Sequence, residues 1–352
     1  MNKSELYQYL QQKGHITHKA NFKITPLSGG NLNHISLVQN KSNSFVIKQA
    51  LTKAKVEIPF ILPPERILME KRAMQILNAR TNSPSIPKMR FFDEERSLLA
   101  METVPSDFKL LTYELLEGNV NLNLIQNMAK LFSSIHNTTY NDKSLKQQFY
   151  SKELFKKSKI GCYHEEYYRA TTNKIAKKNI RETINKAYKN EFCLIHGDAQ
   201  PKNILVKGDK FYILDYEVAH IGDPAYDLGC LMSHYLFAAI INYPLRKKYY
   251  KTISLFFKEY QQNCHFSNQF PKIMQNALGH FPAILYGRVC GTYKVEFIDE
   301  NTRQVTKKIA NYLAQKKPNL PEIFQIVDTL GISLKNNKPL KEKEIRKQKK
   351  LF

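Results

Sequence analysis

The chain has 352 residues, 42% hydrophobic and 11% aromatic, which supplies a normal core for one or two domains, and its 54 Lys and Arg against 31 Asp and Glu give a formal net charge of +23. The opening MNKSELYQYLQQKG has no apolar h-region, and the longest apolar run, around LFAAIINYPL, is too short and interrupted to cross a bilayer, so a soluble, cytoplasmic protein with no membrane role is expected. Five scattered cysteines (Cys162, Cys193, Cys230, Cys264 and Cys290) form no CxxC pair and argue against both a disulfide framework and a zinc site.

Along the chain, residues 22–50 predict a hairpin followed by a strand: a Ser-Gly-Gly-Asn turn, an alternating run, a polar Asn-Lys-Ser-Asn turn and then FVIKQ. After the Pro-rich EIPFILPP, the stretch PERILMEKRAMQILNAR predicts a helix that Pro64 opens, with Ile67, Leu68, Met74, Ile76 and Leu77 near helical spacing. RFFDEERSLLAMETVP predicts a strand pair ending at Pro105, and from about residue 122 the pattern is helical except around residues 194–229. A small β-rich lobe over 1–104 therefore precedes a larger, mainly helical one over 105–330. The positive charge is mostly Lys spread along the chain and peaks in SLKNNKPLKEKEIRKQKKLF. That composition predicts a solvated basic tail over 331–352, and without basic-aromatic interleaving a nucleic-acid partner is not expected.

The segment LIHGDAQPKNILVKGDKFYILDYEVAHIGDPAYDLG concentrates six carboxylates in this basic chain. In it Asp198 and Asn203 stand five residues apart on a short loop before ILV, and FYILD then delivers Asp215, with Glu217 two residues on. Phosphoryl transfer to a hydroxyl needs this kit: a carboxylate that orients the hydroxyl, and oxygen ligands for the metal that bridges the phosphates. Asp198, Asn203 and Asp215 held together call for a divalent cation, and Mg²⁺ is the natural candidate. The first lobe supplies the complementary half in order: a Gly turn (Gly29, Gly30, Asn31), the strand lysine Lys48 and the helix glutamate Glu70. There the loop covers phosphates, the lysine holds their oxygens and the glutamate fixes the lysine.

These motifs resemble the kinase-like small-molecule phosphotransferases, which include aminoglycoside phosphotransferases, choline kinases and methylthioribose kinases. HGDAQPKNILV is similar to their catalytic loop, and ILDYEVAHIGDPAYDLG to their magnesium segment with its bracing Asp. GGNLNHISLV, VIKQAL and the Arg-x-x-x-Glu helix resemble the methylthioribose kinase branch, as does ILYGRVCGTYKVEFI, although Gly287 stands where that branch has a second arginine beside Arg288. The resemblance implies an α+β, protein-kinase-like two-lobe fold and an ATP- and Mg²⁺-dependent kinase with Asp198 as the catalytic residue. It implies Asn203, Asp215 and Glu217 as metal ligands, and backbone contacts from Met101 and Glu102 to adenine. It further implies Arg288 and Lys294 as acceptor contacts, and His196 and Asp227 as holders of the loop.

Each residue also has a plainer reading. Asp198 and Asn203 are also common turn residues, Glu217 could serve a salt bridge, Glu70 could be an exposed helix residue, and Asp223 reads as a turn former. The expected partners are ATP and a small-molecule hydroxyl acceptor, with a methylthioribose-like sugar first and an aminoglycoside or choline/ethanolamine-type acceptor as alternatives. A homodimer stays open. A catalytically silent nucleotide-binding module of the same fold would have lost motif residues, and none of the core ones is missing.

Overall fold

Alternation along one strand sets the layering of the first 102 residues. The computed structural model describes residues 1–17, 21–27, 32–52, 62–149 and 151–341. Strands β1 (Lys23–Pro26), β2 (Asn33–Gln39), β3 (Ser44–Ala50), β4 (Met89–Asp93) and β5 (Leu98–Glu102) form an antiparallel sheet in the order β1-β2-β3-β5-β4. In β3, Phe45 and Ile47 point to one face with Val38, Leu98 and Ala100, where they pack on Leu6, Tyr9 and Leu10 of helix α1 (Lys3–Gln12). Each fully buried aliphatic side chain there contributes roughly 1.5–3 kcal/mol. The alternate β3 residues Val46, Lys48 and Ala50 point to the opposite face, which is covered by helix α2 (Arg66–Thr81). Lys48 is thus inside because of its register, between Ile35 and Leu99.

The helix predicted from Pro64 begins at Arg66, with Pro64 accepting the Ile67 amide from just outside it. Helix α1 went unpredicted, although Asn2 and Glu5 form a reciprocal capping box that the sequence displays as Asn-x-x-Glu.

Beyond the sheet come β6 (Lys109–Leu110), α3 (Leu111–Leu116), α4 (Leu122–Thr139), α5 (Lys143–Lys146), α6 (Lys152–Phe155), a π-helix over Lys156–Glu165, α7 (Glu166–Ala170) and α8 (Lys174–Lys189). Four short strands follow, β7 (Cys193–Ile195), β8 (Ile204–Lys207), β9 (Lys210–Ile213) and β10 (His220–Gly222). They pair as β10-β7 and β6-β8-β9, so the segment that looked like strands and turns forms two small sheets. Helices α9 (Pro224–Ile241), α10 (Arg246–Asn263), α11 (Phe270–Val289), α12 (Glu300–Lys316) and α13 (Leu320–Leu330) complete the chain. Asp223, read as a turn former, is the N-cap of α9. Helix α9 is buried along nearly its whole length, which accounts for the apolar run within it. No single helix among the described residues is long and apolar enough to cross a membrane.

The start of the basic tail departs from expectation. Leu334 is fully buried, Asn337 donates to the Ile241 carbonyl and the Thr302 hydroxyl, and the Leu340 amide bonds to the Leu116 carbonyl. These sparse apolar and amide groups dock the segment despite its charged composition; residues 342–352 lie outside the described residues.

Two histidines buried in the helical part make stability depend on pH. Burial pushes His220 down to about 4 and His280 down to about 3, whereas both titrate near 6.5 when the chain unfolds. Below pH 6.5 the unfolded chain therefore binds the extra protons, and stability falls as the pH falls towards these folded values. Urea unfolding should show a loss of about 3 kcal/mol between pH 7.5 and 5.5 from the two groups together; an unchanged midpoint would contradict it.

Candidate functional site

The site begins with one ammonium among carboxylates. Lys48 Nζ lies 2.7 Å from Glu70 of α2, 2.5 Å from Asp215 and 3.0 Å from Glu217, the last two on the loop after β9. Glu70 reaches Lys48 because it shares a helix face with Arg66, one turn earlier, and both are buried. Arg66 Nε donates to Glu217 Oε2 at 3.0 Å, and Asn33 Nδ2 donates to Glu217 Oε1 at 2.8 Å, so Glu217 is held on both oxygens. Burial draws the Lys48 ammonium down, but Asp215, Glu217 and Glu70 outweigh it and hold the group well above its ordinary value. Burial pushes the Glu70 carboxyl up; Lys48 opposes this, while Asp215 and Glu217 reinforce it. Asp215 is also pushed up by burial, yet Lys48 overrides this and keeps it low. Its backbone has φ +72°, a left-handed conformation uncommon for residues other than Gly and one that Asp tolerates better than most.

The loop between β7 and β8 carries Asp198. Asp227 of α9 accepts the His196 amide at 2.7 Å and the Gly197 amide at 2.9 Å, fixing the loop's backbone. Gly197 has φ +75°, and a Cβ there would meet the Val218 carbonyl at 2.7 Å, so no other residue fits. His196 Nδ1 accepts the Asp198 amide, which places the proton on Nε2, directed at the Leu214 carbonyl 3.0 Å away. His196 thereby ties this loop to the one bearing Asp215.

The Asp198 carboxylate is almost fully buried and receives Gln200 Nε2 at 2.5 Å, Asn203 Nδ2 at 3.0 Å and Lys159 Nζ at 2.7 Å. Burial would raise its pKa, but Lys159 and then Lys202 hold it well below the carboxylate range. Lys159 had no motif to announce it. It sits on the π-helix, a rare geometry often found at functional sites, and Tyr163 of the same helix rests on Gly287 of α11. A Cβ at 287 would lie 2.3 Å from the Tyr163 ring. The missing second arginine is therefore the space this ring occupies.

The remaining predicted residues fall as follows. Arg288 lines a cavity with Gln200, Lys202, His234 and Phe297, adjoining Asp198 through Gln200 and Lys202. Lys294 does not join it: more than half exposed, it pairs with Glu296 at the surface. Met101 is buried at the end of β5, and the Glu102 amide already donates to the Lys88 carbonyl at 2.9 Å, so adenine contacts there would have to use other backbone groups. Gly29, Gly30 and Asn31 lie outside the described residues.

Carboxylate oxygens of Glu70, Asp215 and Glu217 lie within 4.8 Å of one another. An all-oxygen set with more negative charge than Lys48 and Arg66 neutralise fits a hard divalent cation such as Mg²⁺. Asp215, the most exposed of the three, is best placed to hold it, whereas Glu217 is already engaged by Asn33, Lys48 and Arg66. Asn203 stands outside this group and uses its amide nitrogen on Asp198.

Residues 23–243 match the model of the phosphotransferase enzyme family, and the chain belongs to that family. Methylthioribose kinase from Escherichia coli is 25% identical over 243 residues, covering 62% of this chain and 58% of that protein. The match thus spans less than two thirds of the relative's length. Among solved structures, ethanolamine kinase from Plasmodium vivax has a TM-score of 0.52 at 13% identity, over 94% of this chain and 88% of that one. Amicoumacin kinase, solved with AMP-PNP, Ca²⁺ and its ligand, has a TM-score of 0.54 at 13% identity, over 91% and 97%. The fold is accordingly α+β and protein-kinase-like, a small sheet-based lobe beside a larger helical one.

Removing Lys159 leaves a buried carboxylate short of its main cation. Lys159→Met should lower stability in urea unfolding by about 3 kcal/mol, and Lys159→Met combined with Asp198→Leu should recover part of that loss. Strict additivity of the two substitutions would show that the ion pair contributes nothing.

Proposed function

We propose that this chain transfers the γ-phosphoryl group of ATP to a hydroxyl of a small metabolite, with Mg²⁺ required. One observation carries the reading: Lys48 of the sheet lobe meets Asp215, 167 residues later in sequence, at 2.5 Å, next to the braced loop that holds Asp198. In the proposed division, 1–104 binds nucleotide, with Gly29, Gly30 and Asn31 over the phosphates, and 105–330 binds the acceptor and carries the catalytic loop.

Lys48, steadied by Glu70, holds phosphate oxygens, and Met101 and Glu102 mark the strand end that faces adenine. Asp198 orients the acceptor hydroxyl towards the γ-phosphorus. As the new O–P bond forms and the bond to the bridging oxygen of ADP breaks, Asp198 takes the hydroxyl proton. Its low pKa makes it a weak base, so its main contribution is alignment, with proton transfer late. Mg²⁺, held by Asp215 with Asn203 or Glu217, would neutralise charge that develops on the phosphates.

Methylthioribose kinases among the relatives make a methylthioribose-like sugar the first acceptor to test. Aminoglycoside and choline-type acceptors are cations, and Lys159, Lys202 and Arg288 around the acceptor end of the cleft oppose them.

Asp198→Ala should lower acceptor-dependent ADP release by about 10²–10⁴-fold while nucleotide binding persists. Turnover near the wild-type rate in that variant would defeat the proposal.

A further inference from the structure

The acceptor end of the cleft is built from cations. Lys159 lies 2.7 Å and Lys202 3.9 Å from Asp198, and Arg288 lines the adjoining cavity with Lys202, Gln200 and His234. No Asp or Glu is among the described residues that line that cavity. Lys159 and Lys202 therefore share the Asp198 carboxylate, and Arg288 has no ion pair among the described residues.

Two buried polar atoms there have no hydrogen-bond partner among the described residues, Arg288 Nε and His234 Nε2. An unpaired guanidinium N–H away from water is costly, and guanidinium geometry matches carboxylate and phosphate oxygens. His234 has a defined role beside it. Burial and Arg288 push its pKa down to about 3, so the ring is neutral, and Nδ1 bonds to the Cys230 carbonyl at 2.8 Å. The proton is then on Nδ1, and Nε2 presents a lone pair that accepts a hydrogen bond from a hydroxyl. The cavity thus offers cations for an anion and, next to them, an acceptor for an O–H donor.

We infer that the acceptor substrate is an anion: a small polyhydroxy compound whose carboxylate or phosphate pairs with Arg288 and Lys202, while one hydroxyl bonds to His234 and another faces Asp198. The inference rests on the phosphotransferase reading of this site and departs from its first-named acceptor, since a methylthioribose-like sugar is neutral. A neutral sugar would leave Arg288 without an anion, and a polycation would be repelled.

The test is calorimetric titration of the full chain, loaded with ADP and Mg²⁺, with ribose, ribonate and ribose 5-phosphate. At least one charged probe should bind ten times or more tighter than ribose, and Arg288→Gln should weaken that probe tenfold or more, and by clearly more than it weakens ribose. Tighter binding of ribonate would assign the anion as a carboxylate, and of ribose 5-phosphate as a phosphate. Ribose binding as well as either anion, an Arg288→Gln variant that holds the anion unchanged, or an ADP-loaded chain that binds none of the three would overturn the inference. If ADP itself did not bind, the phosphotransferase reading would fall and this inference with it.

Discussion

The structure turns on a single buried ammonium. Lys48 is carried into the interior by the register of β3, and there it meets Glu70, Asp215 and Glu217 within 3.0 Å. A buried lysine without carboxylates would tend to lose its proton, and Glu70, Asp215 and Glu217 crowded together without a cation would tend to gain them. Each part of the cluster is therefore tolerable only because of the others. The contacts also join the two lobes, since Lys48 and Glu70 come from the sheet and α2, and Asp215 and Glu217 from the loop after β9. Arg66 adds a second cation on Glu217, yet negative charge stays in excess on the nucleotide side.

Asp198 divides the cleft into two electrostatic regimes. Towards Asp215 the surplus is negative and suits a divalent cation with its polyphosphate; towards Lys159, Lys202 and Arg288 it is positive. The same carboxylate is kept ionised by the second group while its backbone is locked by Asp227 and His196. A positioned carboxylate in rigid surroundings is what phosphoryl transfer asks of a protein, because that chemistry depends on alignment and charge more than on covalent intermediates.

Much of this was legible in the sequence because it is local. The strands at 22–50, the helix at α2, the lobe order and the spacing of Asp198, Asn203 and Asp215 follow from turn residues, alternation and motif length. The pairing of Lys48 with Glu70 was also readable, as strand lysine and helix glutamate in order. What escaped depends on distant packing. Lys159 lies 39 positions before its partner on a π-helix whose Tyr163 packs closely on Gly287. Arg66 was visible as part of a signature, but its grip on Glu217 was not. Lys294 shows the opposite sense, a lysine near the substrate helix in sequence that the fold places at the surface beside Glu296. The capping box of α1 was present in plain view, and the docked start of the tail hides behind a charged composition.

The central claim is that the acidic cluster around Lys48 is completed by a divalent cation that enters with nucleotide. Electron paramagnetic resonance of Mn²⁺ with the full chain measures this directly. The account predicts weak Mn²⁺ binding alone, at least tenfold tighter binding with ADP present, and loss of that gain in Asp215→Asn. Mn²⁺ binding that ADP does not strengthen, or that Asp215→Asn leaves intact, would contradict it.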